Sequence, residues 1–224
     1  MGFNASKNGA FEKDGRVWFR GAIHENDLLH FDAAAVLNAK AGARVKNSKA
    51  MRTALAKNSA LMQTITSLDP DAKPVRVVAF NKTSDTNWGM PWHQDRVIAV
   101  TDRAGVQGFH NWTKKSSVWH CEPPQSVLDG MLFVRVHLDD TDATNGAMEI
   151  AVGSHKEGII PAATAEMVAG RYPIESCDAK RGDVLVLKML TLHGSRVSKT
   201  VKNRRVFRID FAPFDLSAPL KWAL

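Results

Sequence analysis

Apolar residues recur at helical spacing in the first third of the chain and at strand spacing after it. Leu28, Leu29, Phe31, Ala35 and Val36 form an approximate stripe, which predicts a helix capped by Asn26 or Asp27 and running to about residue 39. Met51, Leu55, Ala56, Leu61, Met62 and Ile65 recur three and four apart, which predicts a second helix over 48–67, closed by Asp69-Pro70. A short strand over 16–20 precedes both, entered through an Asp14-Gly15 turn with Val17 and Phe19 on one face.

From Pro74 onward the period shortens to two. Strands rich in β-branched and aromatic residues are expected over 75–81, 92–100, 131–138, 147–152, 184–188 and 204–211. Asn145-Gly146 and Gly182-Asp183 mark turns, the first through its preference for positive φ. A short helix is expected at about 163–169. Residues 102–125, polar and aromatic by turns, read as a long loop, and loops of that length in compact domains are usually functional, so this one is the expected lid. No repeat, low-complexity tract or linker divides the chain. One domain over 1–224 is expected, with a helical part over about 22–68 and a β core over about 74–213. Helices followed by strands indicate a mainly β, α+β architecture built on an antiparallel barrel or sandwich.

Composition changes this picture little. Of the 224 residues 44% are hydrophobic and 24% charged, values of an ordinary globular protein with enough interior for a sizeable core. No apolar run reaches eighteen residues, so no membrane span is expected. The N-terminus lacks the apolar core of a secretory signal, although Met1-Gly2 and Ser6 fit a loose myristoylation pattern. Cys121 and Cys177 are too few for a disulfide framework, which suggests a reducing, cytoplasmic setting. The net charge of +7 would suit an anionic partner or substrate. Its basic residues are scattered without a nucleic-acid-binding motif, so a solvated surface is the simpler reading and no nucleic acid partner is expected.

The chemistry concentrates in His-x-Asp. Random placement of this composition predicts about 0.6 such pairs, yet the chain has His30/Asp32, His93/Asp95 and His137/Asp139. In a helix, residues two apart diverge, which disfavours the first pair. In a strand they share a face, so His93 with Asp95, or His137 with Asp139, would offer two of the three ligands of a facial triad on a redox-active iron. Candidates for the third ligand are His110, His120, His137, His155 and His193. His193 is favoured by the residues C-terminal to it. Arg204 opens a strand in which Arg204 and Arg208 share one face while Arg205 takes the other, and a guanidinium near the metal suits a dicarboxylate cosubstrate.

Pro91-Trp92-His93-Gln94-Asp95, then Leu138-Asp139-Asp140 with Asn145-Gly146, Gly153-Ser154-His155, Gly182-Asp183, His193-Gly194-Ser195 and Arg204, resemble the phytanoyl-CoA dioxygenase family over roughly 16–213. The resemblance implies a double-stranded β-helix, a cupin-like jelly roll. It also implies Fe(II) held by His93, Asp95 and His193, with Arg204 gripping the distal carboxylate of 2-oxoglutarate, and it places His137/Asp139 on a structural strand. The implied activity is oxygenation by Fe(II), 2-oxoglutarate and O2, most simply hydroxylation of a C–H bond in a small organic substrate, for which an anionic one would suit the basic chain. An aspartate at 95 favours hydroxylation over halogenation. Asn81 and Arg208 are further candidates for the cosubstrate, and Trp92, Trp112 and Trp119 for substrate walls, with Lys114 or Lys115 meeting an anionic group. Gln94 is expected to pack. A non-redox metal-binding jelly roll, an isomerase or a sensor, is the alternative, and it would need the triad without Arg204. The oligomeric state is left open.

Overall fold

The computed structural model describes residues 5–35, 42–45, 47–83, 86–200 and 204–224. Helix α1 (Ala5–Asp14), not expected from the periodicity, leads through Gly15 into strand β1 (Arg16–Phe19). Helix α2 (Glu25–Ala34) is entered from His24, so Asn26 and Asp27 lie within its first turn instead of capping it. Asp27 there still complements the positive end of the helix dipole. The expected extension to residue 39 lies outside the described residues. Strand β2 (Gly42–Arg44) comes next.

The helix expected over 48–67 is two helices, α3 (Lys49–Ala54) and α4 (Ala60–Leu68). The Ser48 and Ser59 hydroxyls accept from the backbone N–H groups of Met51 and Met62, so a second cap restarts the helix where the stripe alone shows no break. The strands then run as β3 (Lys73–Lys82), β4 (Met90–His93), β5 (Ile98–Val100), β6 (His110–Lys115) and β7 (Val118–Glu122). After helix α5 (Gln125–Asp129) come β8 (Leu132–His137) and β9 (Met148–Ala151). Helix α6 (Ala165–Ala169) precedes β10 (Ile174–Ser176), β11 (Val184–Lys188), β12 (His193–Ser195) and β13 (Arg204–Ala212).

Two corrections bear on the site. The strand expected over 92–100 divides into β4 and β5, so Asp95 stands in the irregular stretch between them. The segment 102–125 is mostly a hairpin, β6 paired with β7, and not a loop. Its turn residues Ser116 and Ser117 both have positive φ, the conformation of a tight hairpin turn reached here without the usual Asn-Gly.

The fold is mainly β, and all pairings are antiparallel. A six-stranded sheet has the order β1-β11-β8-β13-β3-β2, a four-stranded sheet β10-β9-β12-β4, and a three-stranded sheet β5-β7-β6. Alternation along β13 divides the interior. Phe207, Ile209 and Phe211 turn to one face, where they pack with Leu28, Phe31 and Ile65 of α2 and α4. Each such fully buried side chain contributes roughly 1.5–3 kcal/mol. Arg204 and Arg208 turn to the opposite face, towards the four-stranded sheet. The apolar layer on the helical side secures the large sheet, and the polar site occupies the space between the two sheets.

Candidate metal centre

The four-stranded sheet supplies two imidazoles. His193 on β12 is the register partner of His93 on β4, and their ring centroids are 4.4 Å apart. A Cβ at Gly194 would lie 3.0 Å from the Met90 carbonyl oxygen, so a glycine lets the strands approach this closely. Asp95 joins them from just beyond β4. One ligand atom from each of His93, Asp95 and His193 can be chosen so that all lie within 4.8 Å of one another.

Gln94, between two of these residues, locks the irregular stretch. Its Nε2 donates to the carbonyls of Gly158 (2.8 Å) and Leu190 (2.7 Å), and its Oε1 accepts from the Ile160 N–H (2.8 Å). The packing role expected of it is therefore specific: it holds Asp95 in place.

The histidine hydrogen bonds fix what the donors offer. His93 Nδ1 lies 2.8 Å from the Pro91 carbonyl and His193 Nδ1 lies 2.9 Å from that of Thr191. A carbonyl only accepts, so each Nδ1 carries a proton, which leaves Nε2 as the nitrogen of each ring that can ligate a metal. Burial first, then repulsion from His193, lowers the pKa of His93 and favours the neutral ring. His193 Nε2 is 3.1 Å from Asp95 Oδ2. Two imidazole nitrogens and a carboxylate oxygen this close together form a donor set that suits a divalent iron.

Asp95 is kept ionised. Burial opposes its charge, but Arg208, followed by His193, outweighs burial and holds the carboxyl well below the usual range. The Arg208 guanidinium contacts Asp95 through Nη1 and grips Asp210 in bidentate fashion, at 2.7 and 3.0 Å. Arg208, a candidate for holding the cosubstrate, is thus engaged by two carboxylates, one of them that of Asp95.

A cavity of about 120 Å³ opens beside the triad, with Phe80, Trp88, Met90, Phe133 and Met148 as apolar walls. Arg204 lines it too, as the register expected for β13 requires: Arg204 faces the cavity while Arg205 reaches Asp139 and Asp32 on the other face. Arg204 Nη1 donates to the Gly146 carbonyl (2.5 Å), yet its Nε is buried without a partner. Burial, with repulsion from Arg135, lowers its pKa to about 9, leaving it charged at neutral pH.

Other expected residues lie elsewhere. Asn81 is not among the cavity-lining residues, because alternation along β3 sends Phe80 and Lys82 inward and Asn81 to the opposite face. Trp92 packs against the cluster of Ala151, Ile160 and Leu192. Trp112 and Trp119 pack edge to face on the hairpin, 6.4 Å apart, and neither lines the cavity. Lys114 stands 5.2 Å over the Trp119 ring. His137 is buried, contacts the Asp183 carbonyl and lies against Trp18, while Asp139 is bound by Arg205, so the rival pair is structural.

Trp88, Lys82 and Arg135 are among the residues in or beside the cavity that escaped the sequence reading. Trp88 precedes β4 in an irregular stretch, where no periodicity points to a face. Lys82 ends β3, buried, with Nζ donating to Ser195 Oγ (3.2 Å) and the Arg196 carbonyl (2.8 Å). Burial, then repulsion from Arg204 and Arg135, lowers its pKa to about 8. Arg135 sits inside the apolar run of β8, whose residues are all buried, so alternation gives no contrast; the lone arginine in that run is the signal that was available.

The family described as phytanoyl-CoA dioxygenase (PhyH) matches residues 9–206. No curated protein sequence matches the chain. Several solved structures share its fold. The non-haem α-ketoglutarate-dependent epimerase SnoN from nogalamycin biosynthesis is 16% identical with a TM-score of 0.67, over 92% of this chain and 79% of that one. EctD from S. alaskensis is 17% identical with a TM-score of 0.65, over 97% and 80%, and has also been solved with iron bound. HygX from Streptomyces hygroscopicus, solved with nickel and 2-oxoglutarate, is 17% identical with a TM-score of 0.62, over 94% and 87%. No helix among the described residues is long and apolar enough to cross a membrane.

Proposed function

The chain belongs to the phytanoyl-CoA dioxygenase family, and from that premise we propose that it is an Fe(II)- and 2-oxoglutarate-dependent oxygenase that hydroxylates a C–H bond of a small organic substrate. The observation that carries this reading is the convergence of His93, Asp95 and His193 on a cavity that also holds the buried guanidinium of Arg204. The iron-bound EctD and the 2-oxoglutarate-bound HygX, similar in fold, support the choice of metal and cosubstrate. When bound, iron and the keto acid supply the oxidising chemistry, in which O2 and 2-oxoglutarate become succinate, CO2 and the oxygen of the new hydroxyl.

The chain's own residues bind, orient and exclude water. His93, Asp95 and His193 would hold the iron, with the Nδ1 hydrogen bonds to Pro91 and Thr191 keeping both Nε2 atoms available. Arg208 keeps the Asp95 carboxylate charged and aimed. Arg204 would take the distal carboxylate of the keto acid, since a buried guanidinium pairs bidentately with that group, and Lys82 and Ser195 stand beside it. Phe80, Trp88, Phe133 and Met148 make the remaining wall apolar, which strengthens these ionic contacts and protects a reactive centre from water.

Hydroxylation is favoured over halogenation because a carboxylate at position 95 keeps a ligand position filled. The test is the incubation of the protein with Fe(II), 2-oxoglutarate and O2. The expected result is iron-dependent formation of succinate, stimulated by a true substrate whose product gains one oxygen. Absence of succinate in an iron-loaded sample would overturn the oxygenase reading, and a product of unchanged mass would replace hydroxylation with an epimerisation of the kind named for SnoN.

A further inference from the structure

Arg135 stands in the wall of the cavity on β8, beside Arg208 in the β13 register, with 7% of its surface exposed. Its one side-chain hydrogen bond runs from Nη1 to Met148 Sδ at 3.5 Å, a weak acceptor, and its Nε is buried without a partner. The neighbouring Cys177 offers no counter-charge, because burial pushes its thiol up to about 12. No carboxylate pairs with Arg135 among the described residues. A buried guanidinium without a counter-charge is costly, and a ligand anion bound beside it would offset that cost.

The other ionic groups of the site find counter-charges or good hydrogen-bond acceptors on the oxygenase reading, on which this inference rests. A divalent iron answers Asp95 and the metal-side carboxylate of the keto acid, Arg204 answers the distal carboxylate, and Arg208 is matched by Asp210. Lys82 has no carboxylate among the described residues either, but its ammonium is hydrogen-bonded to two good neutral acceptors, Ser195 Oγ and the Arg196 carbonyl. Arg135 has only a thioether acceptor and an unpartnered Nε. We propose that Arg135 determines substrate specificity by binding a carboxylate of the primary substrate, whose apolar body lies against Trp88, Phe133 and Met148. The substrate class is therefore a small organic acid. Sequence periodicity concealed this residue, but the electrostatics of the cavity single it out.

The test uses hexanoate and its neutral isostere hexanamide as probes, titrated by calorimetry into the protein loaded anaerobically with Fe(II) and 2-oxoglutarate. Hexanoate should bind at least about tenfold more tightly, the scale of one charge-assisted contact. Arg135→Met should reduce that preference to about twofold or less while leaving the dissociation constant of 2-oxoglutarate within about threefold, and Arg135→Lys should restore part of the preference. Thermal melting of each variant establishes that it is folded. Equal binding of the two probes, or a preference that survives Arg135→Met, would overturn the proposal. So would a loss of 2-oxoglutarate affinity in Arg135→Met as large as that in Arg204→Met, which would assign both arginines to the cosubstrate. If the parent protein binds neither iron nor 2-oxoglutarate, the oxygenase reading fails separately. The same titration on metal-free protein then decides the matter: a hexanoate preference lost in Arg135→Met and kept in Arg204→Met supports the anion site, and no preference overturns it.

Discussion

On β13 two consecutive arginines lead to opposite faces of the six-stranded sheet, and their surroundings differ in kind. Arg205 meets Asp139 at 2.7 Å and Asp32 at 2.8 Å, and Arg181 joins the same group through Asp32 and Glu25, both at 2.7 Å. Every positive charge in this outer cluster has a carboxylate, and the bonds tie α2 to the sheet. On the inner face Arg204 and, on β8, Arg135 are more deeply buried and have none among the described residues. The paired arginines hold elements together, whereas the unpaired buried ones are those proposed to bind anionic ligands. Part of the +7 net charge that reads as a solvated surface is therefore interior and directed at the cavity.

The largest effect should come from removing a proposed metal ligand in the cavity that the inner arginines line. His193→Ala is expected to abolish iron-dependent decarboxylation of 2-oxoglutarate, measured as succinate, while the outer cluster keeps the protein folded by circular dichroism. Arg204→Met should raise the 2-oxoglutarate concentration for half-saturation by about 30–100-fold, equivalent to about 2–3 kcal/mol for a charge-assisted pair, and leave iron binding largely intact. If Arg205→Ala produced that shift instead, the contrast between the two faces would be broken.

A third prediction concerns pH. Burial, then repulsion from Arg135, pushes the pKa of His137 down to about 3, whereas an unfolded histidine titrates near 6.5. Between these values the unfolded chain binds a proton that the folded one refuses. Stability should therefore fall as pH drops through this window, by up to about 1.4 kcal/mol per unit, and His137→Asn should flatten that limb in denaturant titrations. The smallest effect is expected from Arg205→Ala, a loss of about 1 kcal/mol of stability from a partly exposed network, with 2-oxoglutarate affinity unchanged.

The sequence carried the chemistry of the triad better than its geometry. His93, Asp95 and His193 were legible because several motifs occur in a fixed order, and period-two alternation on β13 separated Arg204 from Arg205. The supposition that His93 and Asp95 share a strand face does not hold, since the strand ends at His93 and Gln94 reaches across to 158, 160 and 190 to position Asp95. Such long-range anchoring leaves no local pattern. Asn81, a candidate only by its place one strand before the metal pair, alternates away from the cavity because β3 runs on to Lys82 with its inward positions at 80 and 82. The hairpin of β6 and β7 was hidden by a Ser-Ser turn that requires positive φ without a glycine. Arg135 lies in a strand buried on both faces, where hydrophobic alternation vanishes.

The most direct measurement is the visible absorption of the protein after anaerobic addition of Fe(II) and then 2-oxoglutarate. A metal-to-ligand charge-transfer band is predicted for the parent protein, shifted to higher 2-oxoglutarate concentration in Arg204→Met and absent in His193→Ala. Iron binding without any such band would contradict the assignment of this cavity to a keto acid.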